Sequence, residues 1–333
     1  ESVADSDGNE IVAWDDAASS DWLNLIQSGR TDYALEVGNG NLDLTLLERD
    51  ALLTLETGDI HGLAAGADLY LTADDMDFKS GIDAQGAELP FDQIDYSTSE
   101  NKIHSTGDLI IRSYHDDINY RIGTSAELSS GDDRTAQGDD GHLDLSLRDM
   151  AAIDNNFSLV SIGHENPENS MRIGDVEDAT EVKYTKLSRE INGALRNQTR
   201  FYADSLYIEG DLRAPVDRVE FYADRVEVNS QNVHDPMGLP DSGVTAREID
   251  FDVDEQMVVS GWLMGEDLVH LDIHSTDSDG DAPLISYEED SDGPVYHSGQ
   301  NSLTTDSGSI IRAGADNSLV DIDASASVRI SGK

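Results

Sequence analysis

Apolar and polar residues alternate over short stretches along most of this chain, and Gly, Asn and Asp separate those stretches. Alternation with a period of two places the apolar side chains on one face of an extended strand. The pattern predicts strands over residues 33–37, 41–47, 51–56, 68–72, 109–114 and 118–122. No stretch between them reads as a long helix, so the strand–helix alternation of a parallel α/β fold is not expected.

A repeat in the middle of the chain organises this pattern. Residues 201–204 read FYAD, and the same four letters return at 221–224. Each copy continues into an alternating segment, 206–209 and 226–229. A third and weaker copy is predicted from three apolar residues that repeat the spacing of Ala203, Leu206 and Ile208, namely Ala246, Ile249 and Phe251.

A period near twenty residues with strand alternation is typical of one coil of a parallel β-solenoid. The predicted fold class is therefore all-β, a right-handed parallel β-helix over residues 31–333 with a possible subdivision near 181–200. Its outer face is expected to carry Tyr207, Glu209, Glu227 and Asn229. The alternative is an array of β-sandwich domains of about 100 residues each, which the similarity of residues 42–46 to 143–147 favours.

Residues 1–30 differ from the rest of the chain and are predicted to form an N-terminal cap or attachment. Ser19 or Asp21 as a start, apolar residues at 22, 25 and 26, and Gly29 as a stop predict a helix of two turns there. A second short helix is expected over 189–194, after Ser188. The N-terminal helix could cover one end of the solenoid or dock a partner.

Charge excludes two classes of partner. The chain of 333 residues has 69 acidic and 21 basic residues, a formal net charge of −48, and no cysteine. So negative a surface repels nucleic acid and anionic membranes, and no apolar run approaches the roughly 18 residues of a membrane span. The acidity fits either a salty environment or a calcium-loaded extracellular protein. The chain begins at Glu1 and ends in another strand-like segment, so a longer parent protein is expected.

Two parts of the chain resemble known exoproteins. Residues 143–153, 155–165 and 170–174 resemble a segment that precedes glycine-rich β-helix coils in giant bacterial exoproteins, although His164 stands where that segment usually has arginine. Residues 308–313 and 328–332 resemble repeats of filamentous-haemagglutinin-like adhesins. The resemblance implies a structural, non-enzymatic segment of a secreted or cell-surface fibre or adhesin. Its partners would be other copies of itself, neighbouring segments of a giant chain, or a surface glycan or receptor.

Acidic turns predict calcium binding. Alternating carboxylates in a turn can converge on one hard cation that accepts six to eight oxygens. The candidate ligands are Asp277, Asp279, Asp281 and Glu288, followed by the weaker group Asp5, Asp7 and Asn9. The first loop has Ala282 where an EF-hand requires glycine, so a solvated turn remains the alternative.

Basic residues cluster in one region of this acidic chain. The predicted interaction patch comprises Lys183, Lys186, Arg189, Arg196 and Arg200. Two uses are open for it: pairing with neighbouring carboxylates of the same chain, or contact with the acidic surface of a second chain.

An enzyme acting on polysaccharides is the remaining alternative, as a β-helix lyase or hydrolase. Hydrolases need paired carboxylates, and pairs occur at residues 116–117, 132–133 and 139–140. All three lie in turn-like stretches without an accompanying His–Arg constellation, so catalysis is not expected. The alternating residues His270, Asp272 and His274 do not predict a metal site, because residues four apart on a strand are about 13 Å apart.

Overall fold

The architecture is that of a computed structural model. The structure describes short segments within residues 1–37, then residues 40–49, 51–55, 59–78, 103–123, 142–165, 167–174, 190–192, 195–228, 243–273, 302–305, 310–313, 319–324 and 327–329. Every structural statement below concerns these residues.

The described residues form 24 strands and one short helix. The N-terminal strands are β1 (Val3–Ala4), β2 (Glu10–Ala13), β3 (Trp22–Asn24), β4 (Leu35–Val37), β5 (Leu42–Thr45), β6 (Leu52–Leu55), β7 (Ile60–Gly62), β8 (Leu69–Thr72), β9 (Asp75–Phe78), β10 (Ile103–His104), β11 (Asp108–Arg112) and β12 (Asn119–Ile122). After them come β13 (His142–Leu145), α1 (Leu147–Ala152), β14 (Leu159–Ile162), β15 (Ser170–Ile173), β16 (Glu190–Asn192), β17 (Thr199–Ile208), β18 (Asp211–Val228), β19 (Gly243–Val259), β20 (Trp262–Ile273), β21 (Ser302–Thr305), β22 (Ile310–Ala313), β23 (Leu319–Ala324) and β24 (Ser327–Arg329).

The strands pair side by side in parallel, and the fold is all-β with one large parallel sheet. Its longest ladder runs β2–β5–β8–β11–β14–β17–β18–β19–β20–β23, with every pair parallel. At about 4.8 Å per strand, ten strands span about 43 Å. Among the described pairs, only β1 with β2 is antiparallel.

Shorter ladders accompany the long one. Strands β4, β7 and β10 form one parallel group, and β3, β6 and β9 form another. Downstream, the long strands β17 to β20 each take part in more than one ladder: the first residues of β18 pair with β16, and its later residues pair with β17. Register shifts in the β18–β19 pair mark where the strand passes from one ladder to the next.

The register confirms the central repeat and corrects its third copy. Phe201 pairs with Phe221, as the two FYAD segments predict. Phe221 then pairs with Phe251, so Phe251 does not correspond to Ile208 as the sequence suggested. Ala246 pairs with Ala214, on a different ladder from Ala203. The spacing of Ala246, Ile249 and Phe251 is ordinary alternation, and it matched the wrong ladder.

Inward side chains make one aliphatic core with a column of aromatic rings. Along β17 and β20 buried and partly exposed residues alternate, as expected for strands with one face inward. Phe201, Phe221 and Phe251 are all fully buried, with ring centroids 5.5 and 4.3 Å apart and nearly parallel planes. Stacking of identical residues on successive strands fixes the register, because a slip by one residue would turn each ring outward.

The two predicted short helices are wrong where the structure describes them. Residues 22–24 form β3, which pairs with β6 through Trp22 and Leu52. Residues 190–192 form β16, which pairs with β18. In both places a partner strand distant in sequence supplies the hydrogen bonds, which overrides local helix signals. The six strands predicted from alternation are confirmed as β4, β5, β6, β8, β11 and β12.

Helix α1 was not predicted, although the sequence carries its start signal. Ser146 and Asp149 form a capping box: the Ser146 hydroxyl accepts from the Asp149 N–H at 3.3 Å, and the Asp149 carboxylate accepts from the Ser146 N–H at 2.7 Å. Ser-x-x-Asp ahead of an apolar run is the pattern that would have located this helix.

Candidate interaction surface

A row of ion pairs crosses the outer face of strands β17 to β20. Arg200, Glu220, Asp250 and His270 occupy matching positions on successive strands. Glu220 accepts from Arg200, and Arg218 Nε lies 3.0 Å from its other oxygen. Arg218 also donates to Asp250, which lies 2.7 Å from Nδ1 of His270. We call these five residues the ion row.

Burial makes the ion row a structural feature first. The Glu220 side chain is only 4% exposed, and a carboxylate so placed needs compensation for lost hydration. The hydrogen bond to Glu220 holds the pKa of Arg200 above its usual range. Burial opposes the rise for Arg218, but hydrogen bonding to Asp250 and the charge of Glu220 still raise its pKa. The row satisfies its own charges and ties four strands together.

A pair of stacked tyrosines lies beside the ion row. Tyr202 and Tyr222 pair in register, with ring centroids 5.0 Å apart and planes inclined by 16°. Both are partly exposed outer-face residues, so their phenol ends point away from the core. Burial is the main cause that raises the pKa of each, and the charge of Glu220 adds to the rise for Tyr222. Both phenols are therefore neutral hydrogen-bonding groups at physiological pH.

Carboxylates surround the tyrosine pair. Asp252 and Asp272 continue its row on β19 and β20. At the nearby bend, burial raises the pKa of Asp224, and the charges of Asp204 and Asp254 raise it further. A half-buried aromatic pair bordered by acids favours a neutral or cationic partner over an anionic one.

Of the predicted basic patch, the structure describes Arg196 and Arg200 only; Lys183, Lys186 and Arg189 lie outside the described residues. Arg196 donates to the backbone oxygen of Ile153, and Arg200 pairs with Glu220. Both described arginines thus contact their own chain. All predicted calcium ligands also lie outside the described residues, namely Asp277, Asp279, Asp281, Glu288, Asp5, Asp7 and Asn9.

One residue expected on the outer face is buried. The Glu209 side chain is 5% exposed, and its Oε1 accepts from Arg172 at 2.6 Å. It follows the last residue of β17, where the chain turns and alternation no longer assigns faces. Tyr207 and Glu227 are partly exposed, as expected, and the Arg172 guanidinium lies 5.0 Å from the Tyr207 ring centroid. Asn229 lies outside the described residues.

Buried carboxylates gather where β9, β13 and α1 meet. Burial raises the pKa of Asp149 to about 7, and the charge of Asp77 adds to the rise. Burial also holds the pKa of Asp75 well above its usual value, with Asp144 as the next cause. Asp144 in turn accepts two hydrogen bonds from Arg121, at 2.6 and 2.7 Å.

Such perturbed acids often mark catalytic sites, but the bonding of Asp149 does not. One of its oxygens accepts from the Phe78 N–H at 2.5 Å, and the other accepts from the N–H and hydroxyl of Ser146 at 2.7 Å. A buried carboxyl whose oxygens both cap main-chain groups has no free position for a substrate. Of the sequence pairs, Asp117 binds Arg49 at 2.7 Å in an exposed ion pair, and residues 132–133 and 139–140 lie outside the described residues.

A serine and a histidine lie close together near the end of β11, but they do not make a nucleophile. His164 Nε2 is 3.2 Å from the Ser113 hydroxyl and 2.9 Å from the Ser113 carbonyl oxygen. A carbonyl only accepts, so Nε2 carries the proton and cannot take one from the hydroxyl. Ser113 is also fully buried and contacts the Tyr120 hydroxyl at 2.9 Å. Burial lowers the pKa of His164, which keeps the ring neutral.

No family model, curated protein or solved structure matches this chain. Within the described part of the chain, no helix has the length and apolar character needed to cross a membrane. The interpretation of function therefore rests on the geometry of this chain.

Proposed function

We propose that this chain is a right-handed parallel β-helix serving as a structural, non-enzymatic segment of a secreted or cell-surface fibre or adhesin. Handedness is taken from the general rule that crossovers between parallel strands of one sheet are right-handed. Acidic loops would bind Ca²⁺, and the outer face would contact copies of the same chain, neighbouring segments or a surface glycan.

One observation carries the proposal: successive crossings of the same ladder recur at coil-sized intervals. Thr199 pairs with Val219, Val219 with Ile249, and Ile249 with Val269, at intervals of 20, 30 and 20 residues. Each interval returns the chain to the same ladder one strand further on, which is the path of a coil. A ladder of ten parallel strands supports an elongated body rather than a closed catalytic pocket.

The β-sandwich alternative is less well supported. Sandwich domains of adhesins are built from antiparallel sheets joined by hairpins. Here the pairs that carry the large sheet are parallel, including those between residues far apart in sequence such as Leu109 and Leu69.

The tyrosine pair and its acidic border are the proposed contact surface. Aromatic rings with adjacent carboxylates suit a neutral sugar, since the rings pack against C–H groups and the carboxylates accept hydroxyl hydrogens. The net charge of −48 disfavours acidic polysaccharides. We therefore expect a neutral glycan rather than alginate or pectin.

Electron microscopy of the purified chain, in millimolar Ca²⁺ and after chelation, tests the architecture. A solenoid predicts rods at least about 43 Å long. Filaments in Ca²⁺ would identify a fibre subunit, and separate rods would identify an adhesin segment. Globules joined by linkers would contradict the solenoid.

A glycan array tests the contact surface with the wild-type chain and two variants. Tyr222→Ala should abolish binding to neutral glycans if the tyrosine pair makes the contact. Tyr114→Ala is the matched control, because Tyr114 is an exposed tyrosine on a different part of the chain. Equal loss in both variants, or turnover of the glycan by the wild-type chain, would contradict the proposal.

A further inference from the structure

Two imidazoles lie side by side on adjacent strands, away from the interaction surface. His61 on β7 pairs in parallel register with His104 on β10, and their ring centroids are 5.6 Å apart. Asp59 precedes His61 by two residues, so both side chains face the same side of the strand. The Asp59 carboxylate reaches across to the second histidine, with Oδ2 3.6 Å from His104 Nε2.

A second carboxylate contacts the opposite nitrogen of His104. Asp154 Oδ2 lies 3.4 Å from His104 Nδ1, next to the parallel bridge between Ile103 and Ile153. Asp154 is itself held by the Asn155 N–H at 2.7 Å and by the Asn156 amide at 2.8 Å. A fixed carboxylate on one imidazole nitrogen orients the ring and leaves the other nitrogen as the ligand atom.

We propose that Asp59, His61 and His104 form a binding site for a divalent transition-metal ion such as Zn²⁺, with Asp154 as the residue that positions His104. Ligand atoms at about 2.0–2.1 Å from a tetrahedral ion are about 3.4 Å from one another. The 3.6 Å between Asp59 Oδ2 and His104 Nε2 is close to that separation. A water molecule would complete the four ligands.

The site closes by rotation of one ring. In their present rotamers, no three His, Asp or Glu side chains of the described residues are arranged to hold an ion. The His61 ring must turn until one nitrogen faces Asp59 and His104 Nε2. Because the two histidines are paired across adjacent strands, this change needs no movement of the backbone.

The ligand types select the ion. Imidazole nitrogens prefer Zn²⁺, Co²⁺, Ni²⁺ and Cu²⁺, whereas Ca²⁺ and Mg²⁺ prefer oxygen ligands. This site is therefore chemically distinct from the acidic calcium loops. A bound ion would cross-link β7 to β10, and since the ligands meet only in the folded chain, binding would stabilise the fold.

The test uses the full chain, stripped with EDTA and titrated with ZnCl₂ or CoCl₂ in excess Mg²⁺. Mg²⁺ occupies surface carboxylates and leaves imidazole sites free. We expect one tight equivalent, a tetrahedral Co²⁺ absorption spectrum, and a Zn²⁺-dependent rise in the unfolding temperature. In the variant His104→Gln we expect at least a 100-fold loss of affinity, and in Asp154→Asn a loss of about 10–100-fold.

His270→Gln is the matched control, because His270 is also a partly exposed strand histidine next to an aspartate. It should bind Zn²⁺ as tightly as the wild-type chain. As a measurement that needs no variant, Co²⁺ should shift the NMR resonances of the His61 and His104 rings before those of any other histidine. Binding of unchanged affinity in His104→Gln, binding removed by Mg²⁺ in the wild-type chain, or Co²⁺ shifts confined to other histidines would each overturn the proposal.

Discussion

Asp149 accepts hydrogen bonds from both the main-chain N–H and the hydroxyl of Ser146, each at 2.7 Å, and so joins the start of α1 to the end of β13. The same carboxyl accepts from the Phe78 N–H on β9. Three elements that are distant in sequence thus meet at one buried acid, whose protonation should affect the stability of the fold.

Stability should fall as the pH rises through neutrality. The native state holds the Asp149 proton up to a pKa of about 7, whereas the unfolded chain releases it near pH 4. Between these values the native state binds more protons, so unfolding becomes easier as the pH increases. Urea unfolding from pH 4 to 8 should show a decline of a few kcal/mol that Asp149→Asn flattens.

Release of surface repulsion at low pH would change stability in the same direction, since the net charge is −48. The comparison is therefore made in about 1 M NaCl, where exposed charges more than roughly 3 Å apart are screened. Identical pH profiles for the wild-type chain and Asp149→Asn would contradict the prediction.

The central ring of the phenylalanine column should be the most sensitive core position. Phe221 packs between Phe201 and Phe251 and is fully buried. Phe221→Ala should lower the free energy of unfolding by about 3–5 kcal/mol. Tyr222→Ala removes the neighbouring ring from the partly exposed outer face and should lower it less. Denaturant titrations of both variants test this order, and an equal loss would indicate that the column is not special.

Removal of the buried charge of the ion row should cost more than removal of an exposed one. Glu220→Gln leaves Arg200 and Arg218 without their shared carboxylate, and we expect a loss of about 1–3 kcal/mol. Glu255→Gln is the control, because Glu255 pairs with Arg225 where both side chains are exposed. Its loss should be under about 1 kcal/mol and should vanish in high salt. Chemical denaturation at two salt concentrations separates the two.

Two glycines with positive φ should respond differently to alanine. Gly163 has φ +103°, and a Cβ there would overlap the carbonyl oxygen of Tyr202. Gly66 has φ +76°, and a Cβ there would meet nothing within 4 Å. Gly66→Ala therefore carries backbone strain alone, about 1 kcal/mol, and Gly163→Ala should destabilise more. Thermal melts of the two variants give the comparison, and equal melting temperatures would show that the contact with Tyr202 can relax.

Local alternation predicted most of what is local in this fold. It located β5, β6, β8, β11 and β12, and the repeated FYAD segment gave the register of β17 on β18. It failed at Trp22–Asn24, because a window of ten residues contains no information about the partner strand Leu52–Leu55. The third repeat was misaligned because Val253 and Met257 are separated by one more residue than Ala203 and Leu206, and this shift of register changes the spacing.

The functional clusters were beyond the sequence for a related reason. His61 and His104 are 43 residues apart, and only the pairing of β7 with β10 brings their rings together. Asp149 and Phe78 are 71 residues apart and meet through a main-chain hydrogen bond. By contrast, the Ser146-x-x-Asp149 pattern was visible in the sequence and would have located the helix.

The ladder does not depend on how much chain separates its strands. Val219 and Ile249 pair as well as Thr199 and Val219 do, although ten more residues intervene, and Val269 next pairs with Val320. Connections of different lengths can therefore be exchanged without changing the order of strands. Such a chain is suited to carrying foreign peptides at its corners, where variation in sequence and length can accumulate while the framework stays the same.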